Sequence, residues 1–405
     1  MHTLPQQLVP RIGSVYFNLQ PYYLTISENL KQHYSFDAMG RFMTGFLRGI
    51  NYRRGLDGTI LAKQKCSDTD KTRRRLSDGE TQRLIEDVQE RVEYIARHVA
   101  DGQQAHLLPH LQQILHWDYA RLHAERSTFQ AIYKPISILP PDQYLAVVLQ
   151  AAEGCSWNKC TFCTLYRDRR FRIKSAPAFR QHIHQIKQLL GPGIGLRRSV
   201  FLGDANALII PQQRLIELLR IVHEEFPIGT ARAGADYTFK GIYSFLDIFG
   251  AERKTLADYR ELAQYGLKRI YIGLETGDPD LFALLRKPGS PQACVQAVHT
   301  IKQAGIAVGI ILLAGAGGDR YAAQHVEQSV ACIHAMGLDA EDIVYVSPLV
   351  VSGTDEYSLL LHAQGGHALP SDRLQQQLAD LKTRLRPTRS SSPKVGLYHI
   401  EEFIY

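Results

Sequence analysis

Hydrophobic and polar positions divide the chain into two parts that follow different periods. In the first part, Ser77 and Glu80 form a capping-box pattern ahead of apolar residues spaced three and four positions apart, which predicts an amphipathic helix running to Gly102. A second stripe of similar spacing, residues 107–115, predicts another helix. We therefore predict a mostly helical N-terminal domain over residues 1–140, closed by a cluster of prolines.

After the prolines, short apolar runs with β-branched residues alternate with amphipathic stretches. The runs are residues 144–149, 199–202, 242–246, 269–274, 308–313 and 343–346. Strands that alternate with helices predict parallel β/α units, and near-continuous apolar runs are typical of strands buried on both faces. The pattern predicts an α/β core over residues 141–355 and leaves open whether it is a full barrel, a partial barrel or a doubly wound sheet. Residues 356–405 are predicted as a C-terminal extension with one helix and a terminal strand.

Composition and charge narrow the class of protein. The chain has 405 residues, of which 45% are hydrophobic and 21% charged, and this balance is typical of a globular protein rather than a disordered one. No apolar run is long enough for a transmembrane helix, and the N-terminus lacks the apolar core of a signal peptide. We therefore expect a cytoplasmic protein that does not associate with membranes. The net charge of +7 permits an anionic partner without requiring one.

Three of the six cysteines, Cys155, Cys160 and Cys163, lie within nine positions directly after the first predicted strand. This is the edge where β/α folds build their active sites. Three thiolates on one loop can bind three irons of a 4Fe–4S cluster and leave the fourth iron open to a ligand. Two alternatives are a structural zinc site with His182 or His184 as fourth ligand, and a chance group of reduced thiols. Polar residues between the cysteines favour the cluster.

The segment E-G-C-S-W-N-K-C-T-F-C, residues 153–163, resembles the signature of the radical S-adenosylmethionine (radical SAM) enzymes. That signature has three cysteines on the loop after the first strand, usually three and two residues apart, with an aromatic residue before the last. Here the spacing is four and two, and Phe162 takes the aromatic place. The extra residue of the loop leaves open to which radical SAM subfamily the sequence is most similar, and it does not argue against cluster binding. The core is similar to those of coproporphyrinogen oxidases, elongator proteins and methylthiotransferases.

Further motifs carry the resemblance along residues 144–352. F-L-G-D-A-N-A-L contains Gly203 and Asp204 where the family holds the methionine amino group of the cofactor. Y-I-G-L-E-T-G-D contains Glu275, which the resemblance directs toward the ribose or methionyl end. In L-L-R-K-P, the resemblance implies that Arg286, with its neighbour Lys287, pairs with the cofactor carboxylate, and helix capping is the alternative role.

Two motifs on the last strands complete the resemblance. L-L-A-G-A-G-G contains Gly315, where a glycine would let the backbone approach the adenine or ribose, and V-Y-V-S-P-L contains Val346 on the strand that lines the adenine pocket in the family. The family implies a partial (β/α)6 barrel similar to a TIM barrel. It also implies a 4Fe–4S cluster and S-adenosyl-L-methionine as cofactors, and a flavodoxin-like or ferredoxin-like electron donor.

The implied reaction is reductive cleavage of S-adenosylmethionine to a 5′-deoxyadenosyl radical that removes a hydrogen atom from a substrate. The resemblance assigns no catalytic residue beyond the cluster, and it leaves open whether the enzyme is an oxidoreductase or a transferase. Residues 1–140 and the C-terminal extension are expected to cover the barrel mouth.

Two basic runs bear on the substrate. The first, in residues 166–174, contains Arg167, Arg169, Arg170, Arg172 and Lys174, and the second is Lys71–Arg75. One interpretation is a basic surface for a phosphate-bearing or carboxylate-bearing substrate, and the alternative is a solvated surface with internal ion pairs. The two are evenly matched for the first run, and the solvated surface is favoured for the second. RNA is disfavoured because no RNA-binding module is recognisable. A non-catalytic nucleic-acid-binding protein stabilised by zinc or iron–sulfur would use the same two runs.

Overall fold

The computed structural model describes residues 6–65, 71–100, 104–251, 253–386 and 391–405, and the chain divides into two compact units. The first unit comprises residues 1–136, 184–197 and 402–405. The second comprises residues 137–183 and 198–401. Each unit has its own sheet and is described separately.

Eight strands form an antiparallel meander among the described residues of the first unit. They are β1 (Gln6–Val9), β2 (Gly13–Gln20), β3 (Tyr23–Glu28), β4 (Gln32–Asp37), β5 (Phe42–Leu47), β6 (Ile50–Arg54), β7 (Ile60–Lys65) and β8 (Lys71–Arg75). The prediction of a mostly helical domain over residues 1–140 is therefore wrong for this segment. Buried Leu24, Ile26 and Glu28 alternate with half-buried residues on β3, which is the two-residue period of a strand.

Three helices follow the meander: α1 (Asp78–Val99), α2 (Leu108–Leu115) and α3 (Tyr119–Ile132). The capping box of Ser77 and Glu80 at the start of α1 is confirmed. Six side chains spaced three and four apart on α1 are buried against the sheet: Leu84, Ile85, Val88, Val92, Ile95 and Val99. Below them, the buried Arg41 guanidinium pairs with Asp37 and Glu125 and donates to the carbonyls of Leu189 and Leu190.

The second unit is built from parallel β/α units. Its elements are β9 (Ala146–Gln150), β10 (Ala152–Glu153), β11 (Arg172–Ile173), the first half of α4 (Ala176–Leu190), β12 (Ser199–Gly203), α5 (Gln212–Glu225), β13 (Ile242–Phe245), α6 (Ile248–Ala251), α7 (Leu256–Gln264), β14 (Leu267–Glu275), α8 (Pro279–Leu284), α9 (Pro291–Gln303), β15 (Ala307–Ala314), α10 (Gly318–Ala335), β16 (Ile343–Pro348), α11 (Glu356–Ala363), α12 (Ser371–Arg384) and β17 (Lys394–Leu397). From residue 184 onward, α4 belongs to the first unit. The predicted strands of the core and the terminal strand are present, and residues 356–405 contain two helices, α11 and α12, rather than the predicted one.

Seven of the described strands of this unit form one parallel sheet in the order β9-β12-β13-β14-β15-β16-β17, and β10 and β11 pair with each other in an antiparallel ribbon. The order follows the chain without reversing, as in a barrel, whereas a doubly wound sheet reverses its order part-way. β9 and β17 are the two ends of the order, so the sheet is an open barrel rather than a closed one. The predicted α/β class with a partial barrel is confirmed, and the loops at the carboxyl ends of the strands carry the candidate site.

Candidate functional site

The three cysteines lie on the loop after β9 and β10, and all three are half-buried. Asn158 makes a left-handed turn between the first two cysteines, with φ of 51°. Its backbone N–H donates to the Cys155 Sγ over 3.3 Å, and its side chain donates to the Tyr166 carbonyl over 3.1 Å. Asparagine tolerates this conformation better than most residues, so the turn accommodates the extra residue of the loop.

Hydrogen bonds to the end of α8 anchor the same loop. The Thr161 N–H donates to the Leu285 carbonyl, and the Thr161 hydroxyl donates to the Leu284 carbonyl, each over 3.1 Å. The Trp157 indole N–H donates to the Arg286 carbonyl over 2.8 Å. The protein itself therefore holds the cysteine loop in place.

Burial raises the pKa of all three cysteine thiols, that of Cys160 to about 12. The Lys287 ammonium acts in the opposite direction on each of them, because a nearby cation favours the thiolate. Metal ions bind the thiolate rather than the thiol. Lys287 therefore favours the form of the cysteines that a metal requires.

Three cysteine thiolates suit an iron–sulfur cluster, in which each thiolate binds a different iron. Within the described ranges, no group of three or more Cys, His, Asp or Glu side chains is positioned to hold a metal ion. His182, the candidate fourth ligand of a zinc site, is buried on α4, and its Nε2 accepts a hydrogen bond from the Gln150 N–H over 3.1 Å. The donor set at the loop fits a cluster.

Glu275 and Lys287 form a buried ion pair beside the cysteine loop. The Lys287 Nζ lies 3.0 Å from the Glu275 Oε1, and the side chains are only 9% and 10% exposed. Burial alone would lower the pKa of Lys287, but Glu275 and the Cys160 sulfur outweigh it and raise that pKa above its usual range. Glu275 therefore keeps the Lys287 side chain protonated, so that its positive charge lies next to the cysteines.

The backbone geometry at the end of β14 explains why glycine precedes Leu274 and Glu275. Glu275 adopts φ of 65°, and the register against β15 shifts between Gly273 and Glu275. The carboxylate folds back over Gly273, where a Cβ would lie 2.1 Å from the Glu275 Oε1 and 3.2 Å from the Lys287 Nζ. Glycine at position 273 therefore leaves the space that the ion pair occupies.

The next two residues are held by α10. The Thr276 hydroxyl bonds to the His325 Nδ1 over 2.8 Å, and the Gly277 N–H donates to the Ser329 Oγ over 2.9 Å. A Cβ on Gly277 would lie 2.3 Å from the Gln328 carbonyl oxygen. Burial lowers the pKa of His325 to about 4, so this histidine is neutral at physiological pH. Sequence reasoning missed His325 because it lies 49 residues from Thr276.

Asp204, at the end of β12, is buried near the base of the cysteine loop. Its Oδ2 accepts from the Gly154 N–H over 3.2 Å, and the Arg169 guanidinium lies 3.7 Å away. Burial outweighs both partners and raises the pKa of Asp204 to about 7. A Cβ on the preceding Gly203 would make only an ordinary contact of 3.4 Å with Val148. Asp204 is thus an acid that titrates near neutral pH.

A polar group that sequence reasoning missed joins the ends of β12 and β13. The Asn206 amide donates to the Asp247 Oδ2 over 2.6 Å and to the Ser156 Oγ over 3.2 Å. Burial raises the pKa of Asp247. The position of Asp247 directly after a predicted strand was the signal that could have found it. Ser156 links this group to the cysteine loop.

Two predicted residues lie on the outer side of the cysteine loop. Phe162 packs against an apolar group that includes Leu281 and Tyr357. Arg286 adopts φ of 50° after α8 and forms an ion pair with Glu356. Its predicted role at the cofactor carboxylate stays a prediction, and the structure places the adjacent Lys287 beside the cysteines.

The predicted residues at the ends of β15 and β16 are surrounded by the protein's own side chains. Gly315 has φ of 84°, its N–H donates to the Gln377 Oε1 over 2.6 Å, and a Cβ would lie 3.1 Å from Leu374. Val346 is fully buried and pairs in register with Leu312 and Leu397. Local packing and backbone conformation thus explain the glycine at 315.

A model of the radical SAM superfamily matches residues 149–326, fewer than half of the 405 residues. This match contains the cysteine loop, the Asp204 turn and the Glu275–Lys287 pair. Residues 149–326 are therefore similar to the radical SAM superfamily. The prediction from the motifs is confirmed at the level of the superfamily.

Several solved structures of radical SAM proteins are similar to this chain at low identity. The cobalamin-dependent S-adenosylmethionine radical enzyme OxsB is 15% identical with a TM-score of 0.38, over 66% of this chain and 32% of OxsB. Coproporphyrinogen III oxidase (HemN) from Escherichia coli is 14% identical with a TM-score of 0.42, over 63% of this chain and 57% of HemN. The radical S-adenosylmethionine methyltransferase TsrM from Kitasatospora setae is 13% identical with a TM-score of 0.45, over 63% of this chain and 57% of TsrM. The chain thus spans about a third of OxsB and somewhat over half of the other two. No curated protein matches the sequence.

The basic run within the radical SAM domain is largely used for internal contacts. Arg169 lies beside Asp204, Lys174 pairs with Glu153, and Arg167 bonds to the cysteine loop. Arg170 and Arg172 are exposed, as is Arg167.

The second run, on β8, also forms ion pairs. Arg73 pairs with Glu402, Arg74 pairs with Glu80, and Arg75 donates to the Phe403 carbonyl. These contacts favour the interpretation of this run as a surface with internal ion pairs. No helix in the described ranges is both long enough and apolar enough to cross a membrane.

Proposed function

We propose that this protein is a radical SAM enzyme that binds a 4Fe–4S cluster through Cys155, Cys160 and Cys163 and S-adenosylmethionine beside it. When bound, these groups supply a 5′-deoxyadenosyl radical that removes a hydrogen atom from the substrate. The observation that carries the proposal is the buried Glu275–Lys287 pair next to three loop cysteines, at the carboxyl edge of an open parallel barrel. A cytoplasmic location, where thiols stay reduced, agrees with this chemistry.

The protein's part is to bind, orient and neutralise charge. Lys287 offsets the negative charge of the cysteine thiolates. Glu275, fixed by the turn on Thr276 and Gly277, is available to accept hydrogen bonds from hydroxyl groups of the cofactor.

Asp204, at the end of β12, is an acid that can pair with the ammonium group of the cofactor. Asp204 is buried and titrates near neutral pH, so a bound ammonium group would stabilise its carboxylate form. This supports the assignment of Asp204, with the backbone at Gly203, to the methionyl ammonium of S-adenosylmethionine. Gly315 and Val346 are assigned to the adenine side by the resemblance alone.

An anionic substrate would be recognised by Arg170 and Arg172, because both guanidinium groups belong to exposed residues of the first basic run. The other basic residues of that run already have partners within the domain. A flavodoxin-like or ferredoxin-like protein is proposed as the electron donor. RNA is not proposed as the substrate.

The test is anaerobic reconstitution with iron and sulfide, followed by iron analysis and an assay for 5′-deoxyadenosine after addition of dithionite. We expect about four irons per chain and release of 5′-deoxyadenosine. Cys160→Ala should lose both, whereas the matched control Cys332→Ala, on α10, should keep both. One tightly bound zinc without cleavage of S-adenosylmethionine would contradict the proposal.

A further inference from the structure

Arg167 contacts the backbone of two cysteines of the loop. Its Nε donates to the Cys163 carbonyl and its Nη2 donates to the Cys160 carbonyl, each over 3.0 Å. The planar guanidinium presents these donors in a fixed geometry, so the two bonds set the directions of the two carbonyls together. Lysine has a single ammonium on a flexible stem and does not reproduce that geometry.

Glu356 joins Arg167 to a second arginine. The Glu356 Oε2 lies 3.4 Å from the Arg167 Nη2, and its Oε1 pairs with Arg286. The Arg286 carbonyl in turn accepts the Trp157 indole N–H, which returns the network to the cysteine loop. Glu356 begins α11 and lies outside residues 149–326, the part that matches the superfamily model. This chain therefore braces its lengthened loop with a residue from beyond the matched core.

We propose that Arg167 is a positioning residue for the cluster-binding loop and that Glu356 moderates the effect of the Arg167 charge on the cluster. The role of Glu356 rests on the proposed function. The positioning role of Arg167 does not, because it depends only on hydrogen bonds between Arg167 and the backbone of the loop.

The effect of the Arg167 and Glu356 charges follows from the change in charge of the cluster on reduction. Reduction adds a negative charge to a cluster, and a cation near the ligands favours the reduced form, whereas a carboxylate disfavours it. Arg167 touches the backbone of two predicted ligands, and Glu356 lies against Arg167. Removal of the cation and removal of the carboxylate must therefore shift the reduction potential in opposite directions. Loosening of the loop alone does not produce opposite signs.

The first measurement uses the metal-free protein and the rate of alkylation of Cys160 and Cys163 by iodoacetamide. Arg167→Met should raise the rate by about tenfold, because two charge-assisted hydrogen bonds that resist opening of the loop are lost. Arg167→Lys should also raise it, because the fork geometry is lost although the charge remains. Arg260→Met, which removes an exposed arginine of α7, is the control and should leave the rate unchanged. Equal rates in the Arg167→Met variant and the control overturn the positioning role.

The second measurement is the midpoint potential of the reconstituted cluster, followed by electron paramagnetic resonance. Arg167→Met should make the potential more negative, Glu356→Gln should make it less negative, and Arg260→Met should leave it unchanged. Shifts of the same sign in the first two variants, or no shift in either, overturn the role of Glu356. If the protein takes up no iron, the proposed function fails, and the alkylation rates still decide whether Arg167 positions the loop.

Discussion

Two buried carboxylates at the carboxyl edge of the same sheet have different electrostatic surroundings. Glu275, at the end of β14, has the Lys287 ammonium 3.0 Å away. Asp204, at the end of β12, has a backbone N–H and an arginine 3.7 Å away, and burial raises its pKa to about 7. The difference lies in the partners: a buried ammonium pairs directly with Glu275, whereas burial outweighs the backbone N–H and the more distant arginine at Asp204.

The largest expected effect comes from removal of the Glu275 charge. Glu275→Gln leaves the Lys287 ammonium buried without its carboxylate, and we expect the free energy of unfolding to fall by about 3–5 kcal/mol. Urea unfolding of the metal-free protein measures it. The double variant Glu275→Gln/Lys287→Met should recover most of the loss. A loss below about 1 kcal/mol in the single variant would contradict the view that the pair is buried and coupled.

The second prediction concerns Asp204 and pH. Its pKa is raised in the folded protein, so the folded state binds the proton more tightly than the unfolded state. The stabilisation is fully present below about pH 4 and is lost as pH rises through about 7, by up to roughly 4 kcal/mol. Asp204→Asn should abolish this part of the pH dependence of the free energy of unfolding. An unchanged pH profile in that variant would show that Asp204 is not the group responsible.

The same acid predicts a pH dependence of cofactor binding. If Asp204 pairs with the methionyl ammonium, the affinity for S-adenosylmethionine should fall as pH drops below about 7, because the carboxylate becomes protonated. Isothermal titration of the reconstituted protein between pH 6 and pH 8 measures this. In Asp204→Asn the affinity should be weaker and independent of pH over that range. Equal pH dependence in both proteins would remove Asp204 from the cofactor site.

A smaller effect is expected from Gly273→Ala. The new Cβ would displace the Glu275 carboxylate, which is the flexible end of a side chain, so the free energy of unfolding should fall by only about 1–2 kcal/mol. Adding Glu275→Gln to this variant should then cost less than it does in the native sequence, because the ion pair is already disturbed. Gly79→Ala on α1, where a Cβ makes only an ordinary contact, is the control. Additive losses would contradict the coupling.

The smallest effect is expected from Arg286→Ala. Its ion pair with Glu356 is solvent-exposed, so the free energy of unfolding should fall by less than about 1 kcal/mol. The affinity for S-adenosylmethionine should change little, whereas Lys287→Ala should weaken it. A large loss of affinity in Arg286→Ala would instead support the role that the sequence motif assigns to this arginine.

Periodicity was a good guide where a single pattern dominated. The capping box at Ser77 and the strands of the core were predictable because each follows its own local rule. The meander before α1 was not predicted, because its strands are short and mix half-buried polar residues with apolar ones on both faces. The alternation was therefore weaker than the helical stripe that follows it.

The site was predictable in part for a similar reason. The cysteines and Glu275 belong to local motifs, whereas the His325–Thr276 bond joins α10 to the end of β14. The choice between Arg286 and Lys287 depends on the left-handed conformation of Arg286 after α8, which turns the chain there. Adjacent cations in a sequence do not reveal which of them will face inward.

The buried Arg41 has a consequence for how the polypeptide matures. Its guanidinium donates to the carbonyls of Leu189 and Leu190, so the first unit includes a stretch made well after its own helices. A fragment that ends at residue 136 would lack these acceptors and leave buried donors unsatisfied. During translation, the interior of the first unit is therefore complete only after residues 184–197 have left the ribosome. Domain dissection at residue 136 should give an unstable product.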